Sequence, residues 1–340
     1  MINIGIIGSG QMGNFIAQCL NSNVSCGFKL RSVLSRSLHS GRKFASDHDI
    51  EYSNVHTDIH QFLNDNSLDA VYIASPTAIK NNYLTLSVEK NKHVLIEKPI
   101  NYDRKLIEAF DIAISKKLVI LEASHCLHNK IFSRLTELIN RYVGRIEFVD
   151  ATFNWPSPDE ALTKLNPSLE PNGVLGDLGW YLVRTLVEIC GGDFEHSSQL
   201  IKNKNGAIVE HSTIGSNVTT SFVLNSSYRQ STVRQVLRIS GSKGELIIND
   251  FIMPYWGSFV YGDVQRYLDI EVRHGMKPTL DGKFERIYFT GEQHINMLNF
   301  FSESIKTPHS FIETMLNKTL TSSKLINDIR KSSIIRHCGG

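Results

Sequence analysis

The start of the chain limits its fold more than any other stretch. Ile2–Ile7 is an unbroken apolar run but for Asn3 and Gly5, and it passes straight into Gly8-Ser-Gly10-Gln-Met-Gly13, followed by a helical pattern over Gln11–Leu20. A GxGxxG stretch alone says little. Between a strand and a helix it is the context of a dinucleotide loop. The glycines allow a tight turn, close approach of a pyrophosphate and close helix–strand packing. The helix start offers unpaired N–H groups to phosphate. Gly8, Ser9, Gly10, Gln11, Met12 and Gly13 are therefore candidate cofactor contacts; the alternative is a plain tight turn.

The pattern then repeats. The apolar runs Leu30–Leu34, Ala70–Ala74, His93–Ile96 and Leu118–Leu121 alternate with helical patterns at Leu38–Ser46, Thr57–Leu63, Lys80–Asn91 and Asp103–Lys116. Continuous apolar strands joined by helices predict a parallel sheet covered on both faces, a doubly wound Rossmann arrangement over residues 1–123. After Lys130 the style changes. Ile131–Arg141 reads as helix, and Gly144–Phe153, Ala207–Glu210, Asn217–Leu224, Val236–Ser240, Glu245–Ile248 and Arg286–Phe289 read as strands without helices between them. That predicts an α/β second domain over 124–340 with a large, mostly antiparallel open sheet. Helices are expected at His294–Ser304 and Ser310–Ser332, the last free to pack back on the first domain. Trp155–Pro171 reads as a long loop, a common place for function, and Arg336–Gly340 as a frayed end. A length of 340 residues suits two cores.

Composition removes several classes of function. Net charge is +2 with no long basic block, so nucleic acid is not an expected partner. No apolar run approaches the ~20 residues of a bilayer span, and no basic-then-apolar leader precedes Ile2, so neither membrane nor export is expected. Cys19, Cys26, Cys126, Cys190 and Cys338 are scattered without a CxxC pair, as reduced thiols of a cytoplasm would be. Thirteen histidines include no HExxH, and His125 and His128 lack an obvious third ligand, so no metal is expected.

In open α/β sheets, ligands meet the carboxyl ends of strands. The second run ends at Ser35-Arg36, where NAD enzymes usually carry an acid for the ribose 2′-hydroxyl. A hydroxyl and a guanidinium suit a 2′-phosphate instead, so NADP(H) is favoured and NAD(H) remains possible. The third run ends at Ser75-Pro76-Thr77 and the fourth at Glu97-Lys98-Pro99. Lys98 is either half of an ion pair with Glu97 or a partly desolvated amine suited to proton transfer. Further on, Asn172-Gly-Val-Leu-Gly-Asp177-Leu-Gly-Trp-Tyr181-Leu-Val-Arg184 reads as a helix opening after a glycine-bearing loop. Asp177 and Tyr181 stand at i and i+4 with Arg184 at i+7, on one helix face. Either they meet a polyhydroxylated ligand, or Asp177 caps the helix and Tyr181 fills the core.

Together these residues resemble the Gfo/Idh/MocA family, named for glucose–fructose oxidoreductase and inositol dehydrogenase. The likeness rests on Gly8–Gly13, Ala74–Thr77, Lys92–Ile100, Gly176–Tyr181 and the glycine-bearing stretch Ile239–Leu246. It implies a Rossmann domain and an α/β domain whose sheet makes homodimer or homotetramer contacts. It implies hydride transfer between NAD(P) and a sugar, polyol or related carbonyl compound. Lys98 would touch the reacting oxygen, and a cis bond to Pro99, which X–Pro pairs permit, would fix the chain's exit. Tyr181 would donate a proton, and Asp177 would orient substrate or lysine. Ser75, Pro76, Thr77 and Glu97 join the cofactor contacts. Tyr181, where many members have histidine, resembles the branch of dihydrodiol dehydrogenase, xylose dehydrogenase and sugar ketoreductases. His125, Asn154, Trp155, Trp180 and Arg184 are weaker candidates for substrate contacts. Lys80 replaces a common histidine, Asn172 replaces a glycine, and Arg184 replaces an acid of inositol-dehydrogenase-like members, which argues against inositol. A regulatory NADP(H)-binding protein, or a reductase of a non-sugar carbonyl or dihydrodiol, are the other readings; the joint presence of Lys98, Asp177 and Tyr181 favours catalysis.

Overall fold

Runs that are apolar at every position make strands that must be covered on both sides. β1 (Ile2–Ile7), β2 (Phe28–Leu34), β3 (Val55–His56), β4 (Ala70–Ile73), β5 (His93–Ile96) and β6 (Ile120–Glu122) do so in a six-stranded sheet of order β3-β2-β1-β4-β5-β6. The structure is a computed structural model and describes residues 1–22, 27–156, 163–253, 267–277, 281–289, 292–307 and 311–338. Every pairing in this sheet is parallel. Ile16, Ala17 and Phe44, from α1 (Gln11–Asn21) and α2 (Leu38–Asp47), share a core with Ile4, Ile6 and Tyr72 of the strands. α3 (Ile59–Leu63), α4 (Thr77–Glu89) and α5 (Arg104–Lys116) complete the winding, and the last two bury Leu84, Val88, Leu106 and Phe110. Ser37, Asp58 and Asp103 cap α2, α3 and α5 by accepting the N–H groups of Ser40, Gln61 and Leu106, each cap contributing about 1 kcal/mol.

Strand order reverses at β1, which lies between β2 and β4. Ligands bind where such a reversal parts the connections. Ile7, Ile73, Ile96 and Glu122 pair in one row, so β1, β4, β5 and β6 end level with one another.

Contacts divide the chain into two units, Met1–His125 with Glu292–Thr319, and Cys126–Gly291 with Leu320–Gly340. Where the sequence placed one break after residue 123, the structure returns a later stretch to the first unit. The reason is burial: α8 (Gln293–Lys306) places Met297, Leu298 and Phe301 in the core that holds Ile4 and Tyr72. α9 (Phe311–Ser332) runs across the division.

The second unit contains α6 (Lys130–Leu138), α7 (Trp180–Cys190) and nine strands. These are β7 (Ile146–Asn154), β8 (Glu195–Lys202), β9 (Ile208–Ser216), β10 (Ser221–Ser227), β11 (Arg234–Gly241), β12 (Glu245–Asn249), β13 (Tyr267–Arg273), β14 (Lys283–Tyr288) and β15 (Ile334–His337). Their order is β14-β13-β12-β11-β7-β10-β9-β8-β15, antiparallel except for the β7–β10 and β8–β15 pairs. Alternation sorts the faces. Val149, Ala151, Phe153, Leu224, Leu237, Ile239 and Ile270 are buried in one core with Leu182 and Leu186 of α7. The opposite face carries a row in register: Ile214, Val223, Asp150, Arg238, Ile247, Glu271 and Phe284.

Of the expected frayed end, Arg336 and His337 instead belong to the edge strand β15, and Cys338 N–H donates to the Lys202 carbonyl beyond it. Ile334–His337 is exposed at every position, so no hydrophobic period betrays it; backbone pairing with β8 holds it. Cys26, Ser310, Gly339, Gly340 and residues 157–162 of the expected loop lie outside the described residues. No helix among the described residues is long and apolar enough to cross a membrane.

Candidate active site

The glycine loop has the shape its sequence requires. Gly8 has φ of +113°, and an added Cβ would lie 2.8 Å from the Ala74 carbonyl oxygen. A Cβ at Gly13 would fall 2.1 Å from the Gly8 carbonyl oxygen. Those two glycines let α1 start directly against the sheet. Gly10 is different: a Cβ there meets nothing within 4 Å. It is the N-cap of α1, and no side chain caps that helix. Open space above free N–H groups is what a pyrophosphate needs. Nearby, Ser75 Oγ at the end of β4 is buried without a hydrogen-bond partner among the described residues. An orphaned hydroxyl is a costly feature that a ligand would relieve. The residues present therefore fit a dinucleotide. Gln11 and Met12 open α1, Pro76 is the N-cap of α4, and Thr77 is its first residue, buried.

At the end of β2, Ser35 is buried and Arg36 is exposed. Ser35 Oγ hydrogen-bonds Ser9 Oγ of the glycine loop at 2.9 Å. The strand end thus holds a hydroxyl line and a cation, with no carboxylate in the Leu34–Ser37 stretch.

Beyond β5 the two readings of Glu97-Lys98 part company. Glu97 turns into the sheet, where the Tyr72 hydroxyl donates to its Oε1 at 2.6 Å. Burial pushes its carboxyl above the usual range, against the Tyr72 hydrogen bond and the charges of Lys80 and Lys98. Lys98 precedes Pro99 across a cis peptide and is half-buried. The support beneath it is a residue whose role the sequence did not reveal. Lys80, 2% exposed, donates from Nζ to the carbonyl oxygens of Lys98 at 3.1 Å and Pro99 at 3.0 Å. Its neighbour Asn81 donates to Asn101 O and Asp103 Oδ1, and Asn101 Nδ2 donates back to Thr77 O. The first turns of α4 thereby hold the chain as it leaves β5. Lys80 was visible only as a departure from the family histidine; nothing in its spacing says that it faces inward.

In the second unit, Asp177 and Tyr181 do not share a regular α-helix. Leu175–Gly179 is a π-helical turn, and α7 begins only at Trp180. Gly179 explains the turn: a Cβ there would sit 3.2 Å from Ser226 Oγ and 3.3 Å from His211 Nδ1, so the backbone lies tight on β9 and β10. Such turns recur at functional sites. Asp177 Oδ2 accepts a 2.6 Å hydrogen bond from the Tyr228 hydroxyl and lies 3.9 Å from Lys164 Nζ. Burial, then the Asp177 charge, raises the Tyr228 phenol well above its ordinary value, so it stays a donor. Lys164 also stands 4.7 Å over the Tyr228 ring. Tyr181 is nearly buried, edge-to-face with Trp180 and Phe153.

The weaker candidates are divided between the two units. Trp180, expected as a substrate contact, is fully buried in the second core, so its bulk serves packing. Arg184 is buried with Nη2 3.8 Å from Glu188 Oε2. His128, near its charge, is lowered to about 4, mainly by burial. Asn154 and Trp155 are half-buried at the end of β7. His125 belongs to the first unit, where its Nδ1 pairs with Gln293 Nε2 at 2.7 Å and its ring stacks on His294 at 4.4 Å. Among the described residues no group of three His, Cys, Asp or Glu could hold a metal ion.

With the loop and strand ends in place, comparison with known proteins is decisive for the first unit. Residues 2–125 match the model of the GFO_IDH_MocA family, an oxidoreductase family with an NAD-binding Rossmann fold. Over those residues the chain is similar to this family. Across its length it is 24% identical to the scyllo-inositol 2-dehydrogenase (NADP(+)) IolU of Bacillus subtilis (strain 168), over 89% of each chain. It is 26% identical to the dTDP-3,4-didehydro-2,6-dideoxy-alpha-D-glucose 3-reductase of Streptomyces antibioticus, over 43% of this chain and 45% of that one. In fold it is similar to KijD10, a 3-ketoreductase from Actinomadura kijaniata solved with NADP and TDP-benzene, with a TM-score of 0.85 at 17% identity over 99% of both chains. Levoglucosan dehydrogenase, solved with NADH and levoglucosan, gives a TM-score of 0.79 at 15% identity, over 97% of this chain and 96% of that one. These likenesses at low identity establish the fold alone, a Rossmann unit and a mostly antiparallel sheet.

Proposed function

We propose that this chain is an NADP(H)-dependent oxidoreductase that interconverts an alcohol and a ketone on a sugar-like or polyol substrate. The observation that carries the reading is the open backbone at Gly10 beside the acid-free end of β2. Relatives named as NADP(+)-dependent inositol and xylose dehydrogenases and as a dTDP-sugar 3-reductase support the cofactor and the substrate class. Bound NADP(H) supplies or takes the hydride. In the reductive direction the carbonyl oxygen gains negative charge and then a proton. Lys98 holds that charge, Tyr181 gives the proton, and Asp177, fixed by Tyr228, orients neighbouring hydroxyls. A positioned general acid is worth about 100- to 10,000-fold in rate. Gly8, Ser9, Gly10, Gln11, Met12, Gly13, Ser35, Arg36, Ser75, Pro76, Thr77 and Glu97 form the cofactor side. The outward face of the nine-stranded sheet, with Phe148, Ile214, Phe284 and Tyr288 exposed, is the surface through which two or four copies associate.

The test is turnover of NADPH or NADP+ with a panel of sugars, polyols and nucleotide-sugars, D-xylose, levoglucosan and dTDP-keto-sugars among them. Lys98→Ala and Tyr181→Phe are expected to cut kcat on the order of a hundredfold or more. Variants within a few-fold of the wild type would sink the assignment of roles. Failure to bind either nicotinamide cofactor would sink the whole reading.

A further inference from the structure

Four serines, Ser9 of the glycine loop, Ser35 after β2, and Ser37 and Ser40 at the start of α2, share a continuous line of hydroxyl contacts. Ser9 Oγ lies 2.9 Å from Ser35 Oγ, Ser35 Oγ 2.7 Å from Ser40 Oγ, and Ser40 Oγ 2.8 Å from Ser37 Oγ. Ser40 Oγ also reaches the Ser37 carbonyl oxygen at 3.2 Å. Only Ser35 among them is buried, and Ser40 is half-buried.

A hydroxyl has one proton to give and two positions at which to accept. The carbonyl can only accept, so the direction of the Ser40 proton sets the sense of the whole line. With that proton on the Ser37 carbonyl, Ser35 and Ser37 both donate to Ser40, and Ser9 donates to Ser35. All four hydroxyl protons are then consumed within the line. If Ser40 turns to Ser37, the Ser37 proton is freed to point outward. If it turns to Ser35, Ser35 donates to Ser9, and the Ser9 proton is freed at the glycine loop. One rotation at Ser40 therefore decides whether the line offers a donor, and at which end.

A phosphate oxygen accepts and gives nothing back, whereas a ribose hydroxyl both gives and accepts. A phosphate therefore needs a donor freed from the line, beside exposed Arg36, whereas a ribose hydroxyl can pair with the line in either state. We propose that Ser40, in the first turn of α2, is a specificity-determining positioning residue that aligns Ser35 and Ser37 and frees a hydroxyl donor for the 2′-phosphate of NADP(H). The inference rests on reading the end of β2 as the adenosine-ribose side of the cofactor site.

Binding of NADPH and of NADH to the full chain, by calorimetry, tests it without a substrate. The wild type is expected to prefer NADPH. Ser40→Ala removes the contacts that align Ser35 and Ser37 and is expected to lose about fivefold in NADPH affinity, with NADH affinity unchanged. Ser40→Asp, which consumes both donors and adds a like charge, is expected to lose on the order of a hundredfold for NADPH alone. Ser40→Thr, which keeps the hydroxyl, is expected to restore the preference and stands in if the alanine variant does not fold. Equal losses for both cofactors would make Ser40 merely structural and overturn the proposal. A preference abolished by Arg36→Gln but kept by Ser40→Ala and Ser40→Asp would overturn it and leave the cofactor reading intact. A wild type that binds NADH as tightly as NADPH would overturn both.

Discussion

Replacing Lys80 by methionine isolates what a buried ammonium does for the segment after β5. Methionine keeps nearly the same length and volume, so little cavity forms and the change is one of charge and donors. The ammonium is 2% exposed and serves two carbonyl oxygens, those of Lys98 and Pro99, at 3.1 and 3.0 Å. Hydrogen bonds to a charged group contribute about 1.5–3 kcal/mol each, and a buried acceptor left without its donor costs about 1–3 kcal/mol. Against this, methionine escapes the several kcal/mol of desolvation that a buried ion bears. Glu97 also loses a counter-charge, which pushes its buried carboxyl further toward the protonated form. The net expected loss is about 2–4 kcal/mol. At a urea slope of about 2 kcal/mol per M, the midpoint of the first unit falls by about 1–2 M. Because a chain of two units need not unfold in one step, the midpoint should be read by pulse proteolysis with cleavage sites assigned to each unit. A fall in the first unit of less than about 0.5 M, or an equal fall in the second, would refute the reasoning.

Other expectations separate the cofactor loop, the buried histidines and the sheet face. Gly10→Ala has room for its Cβ, so thermal stability should hold while NADPH affinity drops about tenfold or more; unchanged affinity in calorimetry would remove the loop from the cofactor site. His211 and His294, each lowered to about 3, and His128, lowered to about 4, are neutral in the folded chain because burial disfavours their charge. Their unfolded forms titrate near 6.5, so stability is full above that pH and falls as pH drops toward the folded values. At pH 5 each costs about 2 kcal/mol; equal urea midpoints at pH 7 and pH 5 would contradict this. Phe284→Arg should shift an oligomer toward monomer in light scattering, since Phe284 is 69% exposed on the outward row; a monomeric wild type would end that proposal.

Much of this fold is legible in the sequence, because periodicity reports burial. Ala70–Ile73 is apolar throughout and lies buried on both faces. The glycine spacing Gly8–Gly13 fixes a loop whose contacts allow no side chain at Gly13. What stayed hidden depends on long-range partners. β8 begins Glu195-His-Ser-Ser and shows no apolar alternation. Its inward Ser198 pairs with His196 Nδ1 at 3.0 Å and with Thr213 Oγ1 at 2.8 Å, the latter 15 residues further on. The Tyr228 contact to Asp177 spans 51 residues, and the Gln293 contact to His125 spans 168. No local pattern marks either one. The π-helical turn at Asp177 was equally hidden, since it follows from how closely Gly179 must approach Ser226 and His211.

The return of α8 to the first core has a consequence for how the chain is made. A ribosome releases the N-terminus first, and domains commonly fold as they emerge. Here the six strands of the first sheet are complete once Glu122 has appeared, yet Met297, Leu298 and Phe301 of their core come only after the whole nine-stranded sheet but its last edge. Until then the β1–β4 region carries an unfilled apolar surface. The nascent first unit must wait, half-finished, while nearly all of the second is synthesised. A chain cut at Gly291 would display that surface permanently.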